Sequence, residues 1–180
     1  MIGVLVSGEG TNLQALIDDG LPIVAVASNT PSVQALERAR GAGIETAVFS
    51  LEGYPTREAR DADMASWLEG RGVRLVVCAG YMHLLTAAFL DRFPGRVVNT
   101  HPALLPDFPG AHPIEDTLAA GVEETAATVH YVDEGVDTGP ILAQERVAVR
   151  PDDTVASLRA RVQAVEHRLL PRVVRGLIAR

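Results

Sequence analysis

Lysine is missing from this chain of 180 residues, so all 16 of its basic residues are arginines. Without lysine there is no Schiff-base nitrogen, hence no pyridoxal-phosphate enzyme of the usual kind, and no Walker-type phosphate lysine. The single cysteine, Cys78, excludes an internal disulfide and a cysteine-based zinc site. Because it lies in the apolar run 75–79, we expect it to be buried in the core.

The chain also lacks an excess of positive charge and long apolar stretches. Its net charge of −7 and isoelectric point near 5.2 give no electrostatic reason to expect nucleic acid or an anionic membrane as a partner. No apolar run is long enough to span a bilayer, and the N-terminus enters a predicted strand without a basic signal region. We therefore expect a cytoplasmic protein, and the length suits one domain with a substantial core.

Short apolar runs alternate with helical patterns through the first half of the chain. Continuous apolar runs are typical of strands in a parallel sheet, and they occur at 2–6, 23–27, 46–49, 73–79 and 96–98. Two alternating segments, 125–132 and 141–149, then flank a loop rich in turn formers. The sequence predicts an α/β fold: a doubly wound, mostly parallel sheet with an antiparallel hairpin near the C-terminus. A long C-terminal helix, capped at 152–154 and kinked at Pro171, completes it.

The first strand leads into a glycine loop, Ser7–Asn12, and then a helix. Such a strand, loop and helix N-terminus form a natural cradle for phosphate. A dinucleotide fingerprint fits poorly, because Leu13 replaces its third glycine and the second strand ends in Ser28 and Asn29 instead of an acid. We favour a monophosphate over NAD. From the loop alone, a tight turn capped by Thr11 or Asn12 is equally compatible.

Asn99 and His101 follow the apolar run 96–98, two residues apart. In an extended segment both side chains point to the same side, here at the carboxyl end of a central strand, where α/β sheets bind ligands. An amide and an imidazole in that place are able to hold a carbonyl oxygen as it becomes an oxyanion. Taken alone, such a pair is more often part of a turn.

The longer string Asn-Thr-His-Pro-Ala-Leu-Leu-Pro, residues 99–106, resembles the signature of the folate-dependent formyltransferases. The glycine loop and its helix resemble the phosphate loop of the glycinamide ribonucleotide formyltransferases, and residues 80–85 resemble a segment of the folate pocket. Residues 136–141 and the pattern Gln-x-x-Glu-His-x-x-x-Pro at 163–171 match two further motifs. The motifs occur in the expected order over nearly the full length.

The resemblance implies a set of site residues. The implied catalytic residues are Asn99, His101 and Asp137. The implied phosphate and ribose contacts are Gly10, Thr11, Asn12, Leu13 and Glu166. The implied folate contacts are Arg57, Met82, His83, Leu84, Leu85, Asn99, Asp133 and Val136. His83 stands where many members have arginine, and Asp107 and Ile114 also depart from common members, which leaves contacts at these three positions open.

The resemblance also implies a Rossmann-like formyltransferase fold as one domain over 1–180, with a phosphate-binding half at 1–95 and a catalytic, folate-binding half at 96–180. The implied reaction moves a formyl group from 10-formyltetrahydrofolate, a co-substrate, to the amine of glycinamide ribonucleotide, without a metal. We expect small-molecule substrates only, no nucleic acid or membrane partner, and a monomer or homodimer. His101 would act as an imidazolium whose pKa Asp137 raises, with Asn99 giving a second hydrogen bond to the oxyanion.

Other interpretations stay open at this point. A formyltetrahydrofolate hydrolase would use the same three residues with water as acceptor, and a non-catalytic nucleotide- or folate-binding module would keep only the fold. Methionyl-tRNA formyltransferases are larger, with a C-terminal part that binds tRNA. Without the resemblance, Arg57 would pair with Asp61 on a helix surface, Glu166 would face solvent, and His130 would be a packed strand residue.

Overall fold

The computed structural model describes residues 1–179, which form two compact units, Met1–Asn99 and a second that begins at Thr100. Strands of the first unit overlap the predicted apolar runs. They are β1 (Ile2–Val6), β2 (Ile23–Ser28), β3 (Glu45–Val48), β4 (Leu75–Cys78) and β5 (Val97–His101), whose last two residues belong to the second unit. Their order is β3-β2-β1-β4-β5 and every pairing is parallel.

Four helices connect these strands: α1 (Thr11–Asp18), α2 (Gln34–Gly41), α3 (Arg57–Glu69) and the short α4 (Ala87–Leu90). Both β1 and β4 are buried along their whole length, because helices cover the faces of a parallel sheet. Helix α3 begins at Arg57, two residues after Pro55. Thr56 is its N-cap, and the Thr56 side chain accepts a hydrogen bond from the Ala59 N–H.

The second unit contains α5 (Pro113–Ala119), the antiparallel strands β6 (Glu124–Tyr131) and β7 (Ile141–Ala148), and α6 (Val155–Ile178). The pairing of β6 with β7 shifts register between Val129 and His130, which is the mark of a β-bulge. Strand β6 ends at Tyr131, one residue before the predicted end at Val132.

Helix α6 begins with a capping box: the Thr154 side chain accepts from the Ser157 N–H, and the Ser157 side chain accepts from the Thr154 N–H. Its apolar residues recur every three or four positions and are buried. Pro171, which we expected to kink the helix, lies inside it without ending it.

The predicted α/β fold, with its mostly parallel sheet, C-terminal hairpin and long C-terminal helix, is confirmed. Cys78 is buried, as expected. None of the helices formed by residues 1–179 is both long and apolar enough to cross a membrane. The assignment of phosphate binding to 1–95 and of catalysis and folate binding to 96–180 stays a prediction.

Candidate active site

Strand β5 carries the amide and the imidazole at its carboxyl end. Asn99 pairs in register with Cys78 of β4 and is half-buried, whereas His101, the last residue of the strand, is only 4% exposed. Because the two residues are separated by one position of an extended strand, their side chains leave the same face. Both residues therefore lie at the end of a strand, as predicted.

The His101 ring lies between two acceptor oxygens. Its Nε2 is 2.6 Å from the Phe108 carbonyl oxygen, and its Nδ1 is 3.4 Å from Oδ2 of Asp137. A carbonyl only accepts, so Nε2 carries a hydrogen and donates it to Phe108. In the neutral ring Nδ1 is then without a proton. Only the imidazolium has a hydrogen for both oxygens.

Asp137 lies in the loop between β6 and β7 and has a left-handed backbone, with φ of 54°. Its Oδ2 accepts from the Gly110 N–H at 2.9 Å, and its Oδ1 is 3.5 Å from Nε2 of His130. Burial alone would raise the pKa of this carboxyl group. The hydrogen bonds from His130 and Gly110, with the charges of the two histidines, outweigh burial and hold the pKa below its ordinary value. Asp137 is therefore a carboxylate near neutral pH.

The expected effect of Asp137 on the pKa of His101 is present but is not the largest one. Asp137 does favour the charged ring, as does the Phe108 carbonyl, but burial is the larger effect and places the pKa of His101 below its ordinary value. The charge of His130 acts in the same direction as burial. His101 is consequently neutral near pH 7, and Asp137 is in place to stabilise the ring if it gains a proton.

His130 is the residue that sequence reasoning missed. It is 2% exposed, its Nδ1 is 2.8 Å from the Tyr131 carbonyl oxygen, and its Nε2 faces Asp137. The β-bulge begins at this residue, and bulges often redirect a side chain next to an active site. The sequence offered one indication of this contact: His130 lies near the end of one hairpin strand, and Asp137 lies in the loop that follows it.

Glu166 is buried in α6 rather than facing solvent, with 3% of its surface exposed. It accepts a hydrogen bond of 2.8 Å from the hydroxyl of Thr100, the residue between Asn99 and His101. Burying a carboxylate is unfavourable unless hydrogen bonds compensate. The interpretation of Glu166 as a solvent-facing helix residue is thus wrong. Its burial favours a role in hydrogen bonding inside the second unit.

The glycine loop has a conformation that requires its second glycine. Gly10 has φ of 75° and is the N-cap of α1, so the expected cap at Thr11 or Asn12 is wrong. A Cβ at Gly10 would come within 2.6 Å of the Ala35 Cβ, so no other residue fits. Asn12 Oδ1 is buried and has no hydrogen-bond partner among the described residues, whereas the Leu13 side chain is core. Any ligand contact by Leu13 would use its backbone.

The loop after β4 presents apolar side chains to solvent. Met82 is 65% exposed and Leu84 47%, whereas Leu85 is buried. Arg57 donates to the Leu84 carbonyl oxygen at 2.6 Å. The alternative pairing of Arg57 with Asp61 is wrong, because Asp61 is fully buried and its carboxylate binds Arg60 instead.

Two further predicted positions lie in the same loop as Asp137. Asp133 organises this loop, since its Oδ1 accepts from the Gly135 N–H at 3.0 Å and from the Thr138 hydroxyl at 2.7 Å. Val136 is 45% exposed beside it. The structure therefore brings His101, Asp137 and the Asp133 loop together within the second unit.

Comparison with known proteins identifies the family. A family model described as formyl transferase matches residues 1–174. The chain belongs to the formyltransferase family. The phosphoribosylglycinamide formyltransferase of Mycobacterium tuberculosis is 43% identical over 179 residues, which cover 97% of this chain and 83% of that protein.

Other similar proteins have 38–44% identity to this chain. The trifunctional purine biosynthetic protein adenosine-3 of Drosophila melanogaster is 44% identical over 185 residues, which cover 98% of this chain but only 14% of that protein. The crystal structure of glycinamide ribonucleotide transformylase 1 from Symbiobacterium toebii has a TM-score of 0.95 at 44% identity, covering 97% of this chain and 85% of that one. For phosphoribosylglycinamide formyltransferase from Bacillus halodurans, the TM-score is 0.96 at 38% identity, with 99% and 95% covered.

Proposed function

We propose that this formyltransferase-family chain moves a formyl group from 10-formyltetrahydrofolate to the amine of 5'-phosphoribosylglycinamide, a step of de novo purine biosynthesis. The observation that carries the proposal is the contact of His101 with Asp137 at the end of the strand that also holds Asn99. The names of the similar proteins from Mycobacterium tuberculosis and Symbiobacterium toebii support formyl transfer to this ribonucleotide.

The acceptor amine needs little activation. It resembles an α-amino group, whose pKa is about 7.7–8.0, so a useful fraction is neutral near pH 7. The absence of lysine and the burial of the only cysteine are consistent with a reaction in which the substrate itself supplies the nucleophile. The remaining difficulty is the negative charge that develops on the formyl oxygen after attack.

Two donors on β5 are suited to that charge. The Asn99 amide supplies one N–H, and Nε2–H of His101 supplies the second. In the structure this Nε2–H is bonded to the Phe108 carbonyl oxygen. The formyl oxygen would take the place of that carbonyl as acceptor, and the Phe108 segment would give up the contact.

The attacking nitrogen must lose a proton and the departing folate nitrogen must gain one. Between these two events the proton would travel through a water to Nδ1 of His101, the ring nitrogen that faces Asp137, and back to the folate nitrogen. Uptake of a proton by His101 converts the contact between its Nδ1 and Asp137 into a charge-assisted hydrogen bond. The imidazolium is thereby stabilised while the oxyanion exists. The Gly110 N–H and His130 hold the carboxylate in the ionised state that this role needs.

The remaining residues are proposed to hold the two substrates. Gly10, Thr11, Asn12, Leu13 and Glu166 would bind the phosphate and ribose of the ribonucleotide. Arg57, Met82, His83, Leu84, Leu85, Asn99, Asp133 and Val136 would bind the folate. We further propose that the protein works in the cytoplasm as a monomer or homodimer on small molecules alone, without a metal.

Turnover of 10-formyltetrahydrofolate with and without 5'-phosphoribosylglycinamide tests the function. Loss of formyl-folate only when the ribonucleotide is present, with one formylated ribonucleotide formed per folate consumed, is the expected result. Equal loss without the ribonucleotide would identify a hydrolase instead. Folate binding without any turnover would identify a binding module.

A further inference from the structure

The segment 79–86 connects β4 to α4 with an irregular backbone, and side chains of helix α3 hold it in place. Oδ2 of Asp61 accepts hydrogen bonds from the N–H and the hydroxyl of Thr86, at 2.8 and 2.9 Å. Nη1 of Arg60 is 2.6 Å from Nδ1 of His83. Two consecutive residues of one helix therefore bind the middle and the end of this segment.

Arg60 and Asp61 also bind each other. Nε and Nη2 of Arg60 donate to Oδ1 of Asp61 at 2.9 and 2.7 Å, and both side chains are completely buried. Each partner uses a further atom on the segment 79–86, which is Nη1 for the guanidinium and Oδ2 for the carboxylate. The buried ion pair and the attachment of the segment are thus one hydrogen-bonded unit, the Arg60–Asp61 pair.

The cost of burying two charges indicates that the Arg60–Asp61 pair does more than stabilise the fold. The lost hydration of a buried ion pair is commonly as large as the attraction between its charges, and apolar residues of similar volume often stabilise a protein equally well. Apolar residues could not, however, supply directed hydrogen bonds to Thr86 and His83. A role in fixing the segment 79–86 accounts for the charges.

His83 is the acceptor in its contact with Arg60, because a guanidinium only donates hydrogen bonds. Burial, followed by the charges of Arg60 and Arg57, lowers the pKa of His83, whereas the charge of Asp61 opposes them. The ring is therefore neutral near pH 7, as an acceptor nitrogen requires. The attachment of residue 83 consequently depends on a hydrogen bond and not on a charge of the ring.

Met82 and Leu84 lie on either side of His83 and present apolar side chains to solvent. Their exposed fractions are 65% and 47%, although such residues are usually buried. The Leu84 carbonyl oxygen accepts a further hydrogen bond from Nη2 of Arg57 at 2.6 Å. A ligand that packs against side chains whose backbone is already fixed loses less entropy on binding.

We propose that Arg60 and Asp61 are positioning residues for folate binding: through His83 and Thr86 they fix the segment 79–86, and so keep Met82 and Leu84 ordered for the ligand. The identity of the ligand as a folate rests on the proposed function. Neither member of the Arg60–Asp61 pair touches the folate. His83 serves folate binding through its hydrogen bond with Arg60.

Calorimetric binding of tetrahydrofolate, the folate product of the proposed reaction, tests the bond between Arg60 and His83. The partner is varied because a substitution of Arg60 itself would leave the buried charge of Asp61 unpaired and strongly destabilise the protein. His83→Leu removes the acceptor and should weaken binding roughly tenfold, the cost of ordering one or two side chains on binding. His83→Gln supplies an acceptor again and should recover most of that loss. Equal losses in both variants would refute the role of this bond.

The bond between Asp61 and Thr86 has a variant with a matched control. Thr86→Val removes the hydroxyl that donates to Asp61 but keeps the N–H and the size of the side chain. Tetrahydrofolate binding should weaken by roughly threefold to tenfold, since one of two bonds to the carboxylate is lost. Thr117→Val makes the same change in α5 at a buried hydroxyl that has no hydrogen-bond partner among residues 1–179. Its affinity for tetrahydrofolate should equal that of the unchanged protein.

Two further readouts separate positioning from a general loss of stability. In His83→Leu and Thr86→Val, amide hydrogen exchange measured without substrates should accelerate only in the segment 79–86, and the affinity for 5'-phosphoribosylglycinamide should not change. Faster exchange throughout the first unit, or equal weakening of both ligands, would refute a positioning role. Failure of the unchanged protein to bind tetrahydrofolate would refute the proposed function, whereas normal tetrahydrofolate binding by both variants would refute only this inference.

Discussion

Replacing Asp137 by asparagine removes the charge that faces His101 and leaves the shape of the side chain nearly unchanged. The asparagine oxygen still accepts from the Gly110 N–H, as the Asp137 carboxylate does at 2.9 Å. What is lost is the negative charge 3.4 Å from Nδ1 of His101. Since this charge opposes the effect of burial, the pKa of His101 should fall further below its ordinary value, and the imidazolium should become harder to form.

The size of the effect follows from this distance. Unit charges 3.4 Å apart attract by about 5 kcal/mol at an effective dielectric constant of about 20, which is an upper bound for this pair. A hydrogen bond to a charged group contributes about 1.5–3 kcal/mol net, which gives the lower bound. Because about 1.4 kcal/mol corresponds to a factor of ten in rate, Asp137→Asn should lower kcat by roughly 10- to 4 × 10³-fold.

The assay is steady-state formyl transfer at saturating concentrations of both substrates, combined with an NMR titration of His101. Asp116→Asn is the control, because it makes the same charge change at an exposed position of α5. Asp137→Asn should lower both kcat and the pKa of His101. Asp116→Asn should change neither.

The two readouts together decide the reasoning. If the pKa of His101 falls in Asp137→Asn while kcat stays near that of the unchanged protein, His101 does not react through its imidazolium. If kcat falls and the pKa of His101 does not, Asp137 acts on the reaction by another route. Either result would refute the role that the geometry assigns to this pair.

Three further predictions concern other groups. Asn99→Ala should lower kcat on the order of 10²–10³-fold, because one oxyanion donor is lost, and near-normal turnover would contradict this. Since the pKa of His101 lies below its ordinary value of 6.5, the unfolded chain binds more protons as the pH falls through this range. The free energy of unfolding should therefore fall by at most about 1 kcal/mol between about pH 6.5 and 5.5. Chemical denaturation should show a smaller fall in His101→Gln. Burial raises the pKa of Cys78 to about 12, so thiol reagents at pH 8 should modify it only after unfolding.

The sequence predicts the fold because continuous apolar runs and helical spacing are local patterns. The strands β1, β2 and β5 lie where those runs are, and Thr154 caps α6 as its position suggests. The same reasoning places Asn99 and His101 at a strand end, since the apolar run stops just before them. These features depend on residues that are close in the sequence, so local patterns predict them.

Other parts of the site could not be predicted, because they depend on backbone groups or on contacts between distant residues. His101 contacts the backbone carbonyl of Phe108, and Asp137 contacts the backbone N–H of Gly110. Because these are backbone groups, the identity of residues 108 and 110 does not predict the contacts. His130 reaches Asp137 next to a register shift, and a shift of one residue changes the face that a side chain occupies. Arg60 is fully buried although arginines are mostly exposed, so composition argues against its position.

The departure from the sequence-based expectation for His101 matters for the chemistry. A ring held as a permanent imidazolium could donate to an oxyanion but could not take up the proton that the attacking amine releases. A ring with no carboxylate beside it could take up that proton only at a large penalty, because burial disfavours the charge. Burial and Asp137 act in opposite directions, so the protonation of His101 responds to the charge that develops on the substrate. The balance requires both side chains at their observed distance, and neither of them has this property alone.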